Sequence, residues 1–160
     1  MGPYLNGTSS VSLDGKGRLS IPTRYREKLV ADCDGEMVLT LDRAACLLLF
    51  PLPAFREFER ELMALKASRQ ATLYRRIYLG MAAEVRMDGS GRILIPSVLR
   101  ERAGLKAKDE RISMVGQGHK FELWADSAWN AFLDGAIDEL ADMEIGGADA
   151  GADLANLTML

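Results

Sequence analysis

The sequence predicts an α+β protein. Two tandem copies of a small β-rich unit, related by a pseudo-two-fold axis, interleave into one closed barrel, with helices at its periphery. Three observations predict it. Residues 11–27, V-S-L-D-G-K-G-R-L-S-I-P-T-R-Y-R-E, return as residues 85–101, V-R-M-D-G-S-G-R-I-L-I-P-S-V-L-R-E, at an ungapped offset of 74. Each copy alternates apolar and polar residues with period two around an Asp-Gly turn, the pattern of a half-buried hairpin. Stripes of helical period lie between the copies and after the second. One copy alone is too small to bury much core, whereas two interleaved copies also hide their strand edges.

The identical pairs are Val11/Val85, Asp14/Asp88, Gly15/Gly89, Gly17/Gly91, Arg18/Arg92, Ile21/Ile95, Pro22/Pro96, Arg26/Arg100 and Glu27/Glu101. The offset carries on past the motif, where Leu47 meets Phe121, Leu49 meets Leu123, Phe50 meets Trp124, Phe55 meets Trp129 and Phe58 meets Phe132. Such spaced matching marks one ancestral unit duplicated in tandem.

In chain order, residues 8–51 form the first repeat, 52–80 a helical insert, 81–125 the second repeat, 126–144 a C-terminal helix and 145–160 a tail. Gly2-Pro3 resembles neither a strand nor a helix start. A strand over Thr8–Leu13 ends at Asp14-Gly15, where both residues tolerate positive φ. Leu19 and Ile21 resume the alternation. Pro22 presets φ for a first helical position, and Thr23–Ala31 follows as a short helix. Met37–Leu41 and Leu47–Phe50 read as a hairpin. In the insert, Phe55, Phe58, Leu62 and Leu65 make one apolar stripe, and Leu73 and Ile77 resume it up to Gly80, as two helices or one bent helix. The second repeat copies the first through strands Ala83–Met87 and Ile93–Ile95, helix Pro96–Ala103 and hairpin Ile112–Val115/Lys120–Trp124. The last helix, from Ser127 to Met143, carries Trp129, Phe132, Leu133, Ile137 and Leu140 on one face. The Gly/Ala-rich tail is expected to be disordered.

The net charge of −3 conceals a split: all eight charged residues from Asp126 onward are acidic, and residues 1–125 hold 20 basic against 15 acidic side chains. An acidic total is compatible with nucleic-acid binding, which depends on the local patch. No apolar run approaches the roughly 18 residues of a membrane span. No secretory leader pattern opens the chain, so the cytoplasm is the expected compartment. Cys33 and Cys46 lack metal-ligand spacing and the only histidine is His119, so no metal or other cofactor is expected and both thiols read as inert. No nucleophile motif, phosphate-binding loop or ligand cluster points to an enzyme.

Asp14-Gly15-Lys16-Gly17-Arg18 carries the clearest chemistry. Two glycines bare the backbone beside Lys16 and Arg18, so the loop can approach a phosphate and offer N–H groups as well as charge. Arg18 can alternatively lie bidentate on guanine in a major groove. Asp14 has the wrong sign for DNA; it accepts hydrogen bonds from turn N–H groups or holds the arginine. The competing reading is a plain turn with solvated cations, and the recurrence of Arg18 as Arg92 weighs against it. Lys16 answers to Ser90, so the first tip is the more cationic and is expected to dominate a DNA contact. Asp88, Gly89 and Gly91 structure the second turn as Asp14, Gly15 and Gly17 do the first. Arg24, whose counterpart is Val98, is free for a partner or simply solvated. The recurring Arg26-Glu27 and Arg100-Glu101 suggest a structural pair on each helix. Arg75-Arg76 reads as a solvated helix face, with a functional role the weaker alternative.

These residues carry a family resemblance. The doubled D-G-[KS]-G-R-[LI]-x-I-P followed by R-E, the segment L-L-L-F-P-L-P-A-F, and G-x-G-x-K-F-E-L-W in the second half resemble the MraZ family of bacterial transcriptional regulators, over about residues 8–143. The resemblance implies the AbrB-like swapped-hairpin β-barrel. It also implies a sequence-specific DNA-binding regulator, acting as a repressor, on the promoter of the division and cell-wall gene cluster. Binding would be to spaced direct repeats of double-stranded DNA, as a ring-shaped homo-oligomer associated with the nucleoid. It places DNA contact on Lys16 and Arg18, and extends it to Arg92. A reading of another class remains beside it: an antitoxin-like protein-interaction barrel without specific DNA binding. The insert helices and the final helix are the expected subunit-packing surfaces, with Leu62 and Leu65 as the residues to test.

Overall fold

A computed structural model describes residues 4–105, 111–143 and 157–158. The chain divides into two compact units, Met1–Asp126 and Ser127–Leu160. The first repeat supplies β1 (Leu5–Ser12), β2 (Arg18–Ser20), α1 (Thr23–Cys33), β3 (Glu36–Leu41) and β4 (Leu47–Pro51). The insert holds α2 (Leu52–Ala64), α3 (Arg69–Tyr74) and a π-helical turn, Arg75–Leu79. The second repeat supplies β5 (Ala83–Arg86), β6 (Arg92–Leu94), α4 (Ser97–Arg102), β7 (Arg111–Gly118) and β8 (Phe121–Ala125), and α5 (Asp126–Asp142) follows. The protein is thus α+β. Apart from Leu157 and Thr158, the tail lies outside the described residues.

Six strands form one antiparallel sheet in the order β1-β7-β8-β4-β3-β5, and β2 pairs with β6 in a separate ribbon. The repeats exchange their first strands: β1 pairs with β7 of the second repeat, and β5 pairs with β3 of the first. Two pairs of equivalent residues face themselves across this exchange, Leu19↔Ile93 in the ribbon and Leu48↔Glu122 in the sheet. Both sit at the offset of 74, so the pseudo-two-fold axis passes through both.

The offset does not run through the third strands. Val11 pairs with Ile112 while its counterpart Val85 pairs with Met37, which makes Met37 and Ile112 equivalent at an offset of 75. An extra residue before β7 is offset by a shorter β7–β8 turn, in which Gln117 N–H donates to Lys120 O, against Asp42 to Cys46 between β3 and β4. A shift of one residue turns every side chain to the other face, and buried Met37 and Ile112 confirm the corrected match.

β1 starts at Leu5, three residues before the alternation shows it. Asn6 to Ser10 are polar and follow no apolar rhythm; backbone pairing with β7, from Leu5↔Gly118 onward, makes them a strand. The approach is close, because a Cβ on Gly116 would stand 2.5 Å from Leu5 O.

Pro22 and Pro96 cap the short helices rather than open them, with ψ of 139° and 141°. Their carbonyls accept from Tyr25 and Leu99 N–H, and the ring, lacking an N–H, costs nothing there. α1 runs on to Cys33, where Asp34 takes left-handed φ and Gly35 N–H returns to Leu29 O. Leu19, Ile21, Ile93 and Ile95 point from the ribbon into a core with Leu29, Leu99 and Phe121. Each such side chain contributes roughly 1.5–3 kcal/mol through burial.

The insert is two helices. Ser68 Oγ accepts Ala71 N–H and caps α3. Phe55 and Leu62 are buried, and Phe50 packs on both Phe55 and Phe58. Leu62, expected at a subunit contact, thus belongs to the protomer's own core, and Leu65 lies past the end of α2 in extended backbone. Arg75 is not a solvated cation: Nε donates to Leu62 O at 2.9 Å and Nη2 to Leu65 O at 2.8 Å, closing the C-terminus of α2. Among the described residues, no helix is long and apolar enough to cross a membrane.

Candidate nucleic-acid interface

The two turns have the same construction. Asp14 Oδ1 accepts the backbone N–H of Lys16 and of Arg18, each at 2.9 Å, and Oδ2 accepts Arg18 Nε at 2.8 Å. Asp88 repeats this with Ser90 N–H, Arg92 N–H and, at 3.1 Å, Arg92 Nε. The aspartate therefore performs both tasks the sequence leaves open, shaping the turn and holding the arginine. Tied through Nε, each guanidinium has its two terminal nitrogens outside this bond.

Electrostatics follow from that bonding. The N–H of Arg18, opposed in part by desolvation and aided by its guanidinium and by Lys16 N–H, draws the Asp14 carboxyl down from 3.8 to about 2. Asp88 is lowered in the same way, first by Arg92 N–H. Both carboxylates stay ionised, as hydrogen bonds to the charged form require.

The exchange between repeats reaches the turns. Ile95 N–H donates to Gly17 O and Ile21 N–H to Gly91 O, so each turn is bonded to the opposite strand. Arg26 Nε donates to Ile21 O at 2.7 Å, and its guanidinium crosses to cover Gly91 of the other repeat; Arg100 bonds Ile95 O and covers Gly17. Gly17 and Gly91 hold φ of 80° and 78°, so they serve both the turn and the close approach. The recurring Arg-Glu dipeptide is therefore not an ion pair on each helix; the arginine works across the dyad.

The ribbon brings the two arginines together. Arg18 lies opposite Leu94, and Ser20 opposite Arg92. Paired and alternate residues share a face, so Arg18, Ser20, Arg92 and Leu94 point outward while Leu19 and Ile93 fill the core. Arg18 and Arg92 are diagonal neighbours about 7–8 Å apart at Cα. The arginine side chains are 29% and 32% exposed. Lys16, Gly15 and Gly89 are exposed at the tips. Arg24 is less free than its sequence context suggests: Nη2 donates to Ser9 Oγ at 2.7 Å and the guanidinium lies over its neighbour Tyr25. Leu94, which the sequence reading passes over, stands exposed beside both arginines; its even spacing from Arg92 is the signal that finds it.

Elsewhere, an open groove of about 860 Å³ is lined by Phe50, Phe58, Tyr74, Tyr78, His119 and Glu122 among others. Beside it, Asp42, Cys46 and Glu122 offer ligand atoms within 4.8 Å of one another. Burial and the two carboxylates push the Cys46 thiol up, keeping it protonated, and Asp42 accepts from Tyr78 Oη.

The chain matches the family model described as "MraZ protein, putative antitoxin-like" twice, over residues 4–76 and 78–144. It is similar to proteins named Transcriptional regulator MraZ. That of Methylococcus capsulatus is 44% identical over 149 residues, covering 91% of this chain and 96% of the relative. Those of Thioalkalivibrio sulfidiphilus and Halorhodospira halophila are 45% and 46% identical, over 77% of this chain and 81% and 80% of theirs. The two matched segments meet inside the insert, so each repeat runs from its exchanged strand into helix. With both repeats matched, the chain belongs to the MraZ family.

Proposed function

We propose that this protein is a sequence-specific DNA-binding transcriptional regulator that lays the β2–β6 ribbon and its two turns in the major groove. One observation carries the reading: Arg18 and Arg92, each held through Nε by a turn aspartate, share the outward face of a two-stranded ribbon. A major groove about 12 Å wide admits such a ribbon, and the arginine terminal nitrogens suit guanine O6/N7. Lys16 takes phosphates, since the N–H groups of Lys16, Gly17 and Arg18 are already bonded to Asp14, and Arg24 adds steering charge.

Family membership supports a repressor of the division and cell-wall gene cluster promoter, bound to spaced direct repeats. It also supports closure of the sheet and ribbon into the swapped-hairpin barrel. One ribbon neutralising a few phosphates binds modestly and in a salt-sensitive way. A ring of copies on matched repeats gains roughly 10²–10⁴ in avidity. Ile137 and Leu140 of α5 are exposed in the single chain, which makes them, rather than Leu62, the residues to change in testing the ring by light scattering.

The test is fluorescence anisotropy on the promoter fragment upstream of the gene and on a shuffled fragment, across a salt series. Tight binding to the promoter alone, lost with Arg18→Ala, supports the regulator. Equal weak binding to both, unaffected by Arg18→Ala, refutes it and favours the protein-interaction barrel.

A further inference from the structure

The pseudo-two-fold axis relates Arg18 to Arg92, but it does not relate like to like around them. Leu94 occupies the position of Ser20, and both face outward. Lys16 answers to Ser90, and Arg24 to Val98. At all three places the first repeat is polar or basic and the second is neutral or apolar. Leu94 is 56% exposed and Val98 52%. Leu94 lies directly across the ribbon from Arg18, two residues along its own strand from Arg92. An exposed leucine beside two arginines on a cationic ribbon is suited to a surface that is anionic at its edges and apolar at one point. The major groove supplies such a point only at the thymine C5-methyl group.

We propose that Leu94 reads a thymine methyl group and thereby sets the direction in which each protomer lies on its DNA. This rests on the ribbon being the DNA-reading element. A dyad-symmetric reader suits a palindrome. Here the arginines are dyad-related and read the same base in either orientation, so the Leu94/Ser20 difference breaks the tie. The element read by one protomer is therefore non-palindromic, with thymine at the end of the ribbon where Leu94 stands across from Arg18.

The test begins with selection by the wild-type protein from a random 20-base-pair duplex pool. Each thymine of the enriched duplex is then replaced singly by deoxyuridine, which deletes one methyl group and leaves pairing intact. Anisotropy is measured with wild type, Leu94→Ser, Leu94→Met and Arg18→Ala. At one thymine per bound element, deoxyuridine weakens wild type and Leu94→Met about fourfold, the weight of one buried methyl, and leaves Leu94→Ser unchanged. Leu94→Ser also loses its preference between the element and its inverted copy. Enrichment that depends on Arg18, with no thymine whose methyl matters more to wild type than to Leu94→Ser, overturns this inference alone. An enriched duplex without thymine does the same, as does a Leu94→Ser protein whose assembly mass falls. Failure to enrich any sequence overturns the DNA-reading function itself, and this inference with it.

Discussion

Leu19 and Ile93 face each other at the centre of the β2–β6 ribbon, and each is the other's counterpart in the duplication. Both are buried. A symmetric contact of this kind lets one short stretch, used twice, build its own partner. It also puts the two aspartate–arginine turns at fixed distance on either side of one axis.

Truncating either residue should therefore open the same contact. Leu19→Ala and Ile93→Ala are each expected to lower stability by about 2–5 kcal/mol, with a cavity on one side of the axis. Because the two touch, the double variant should depart from additivity. Urea denaturation of the three variants checks this; strictly additive losses would mean that the two side chains do not share a contact.

The glycines of one turn should differ sharply. A Cβ on Gly91 would stand 2.2 Å from Arg26 Nε, at φ of 78°, whereas a Cβ on Gly89 meets nothing within 4 Å. Gly91→Ala is expected to cost at least about 1–2 kcal/mol from the backbone alone and to displace Arg26. Gly89→Ala should stay within roughly 0.5 kcal/mol. Thermal unfolding distinguishes them.

Asp14 should titrate near pH 2. Its folded pKa is depressed from 3.8 to about 2, so the ionised carboxylate favours the folded turn above its unfolded value. That contribution is lost only as the pH falls through about 2. Between pH 5 and 8 this group adds no pH dependence. Carboxyl carbon NMR follows it directly. In Arg18→Ala the midpoint should rise only part of the way, because the N–H of residue 18, the largest cause of the shift, remains.

Arg75 should prove structural. Replacing it by Met leaves the last carbonyls of α2 without their charged donor, at a cost of about 1.5–3 kcal/mol. Arg76, exposed on the same segment, should change to Met with little effect. DNA affinity of folded Arg75→Met should equal that of wild type; a selective loss of affinity would bring the insert into the interface.

Much of the architecture is legible locally. Alternation around Asp-Gly marks the hairpins, because a strand with one buried face repeats every two residues. Pro22 and Pro96 mark the helix starts, and the Asp14-to-Arg18 spacing suits a side chain that accepts from its own turn. The 74-residue offset shows the duplication and leads to the family. Where side chains do not alternate, as from Asn6 to Ser10, the strand is invisible, because only backbone pairing on β7 makes it.

That the repeats interleave is expected from the sequence; which strand pairs with which had to await the folded chain. Backbone N–H and C=O groups are the same at every residue, so nothing in β1 announces that it pairs with β7 rather than with a strand of its own repeat. From that exchange follow the meeting of Arg18 with Arg92 on one ribbon face, the reach of Arg26 over Gly91, and the place of Leu94 beside two cations. The residues and their local shapes belong to the sequence; their neighbours across the axis are set by which edges pair, and burial of one shared core selects that pairing.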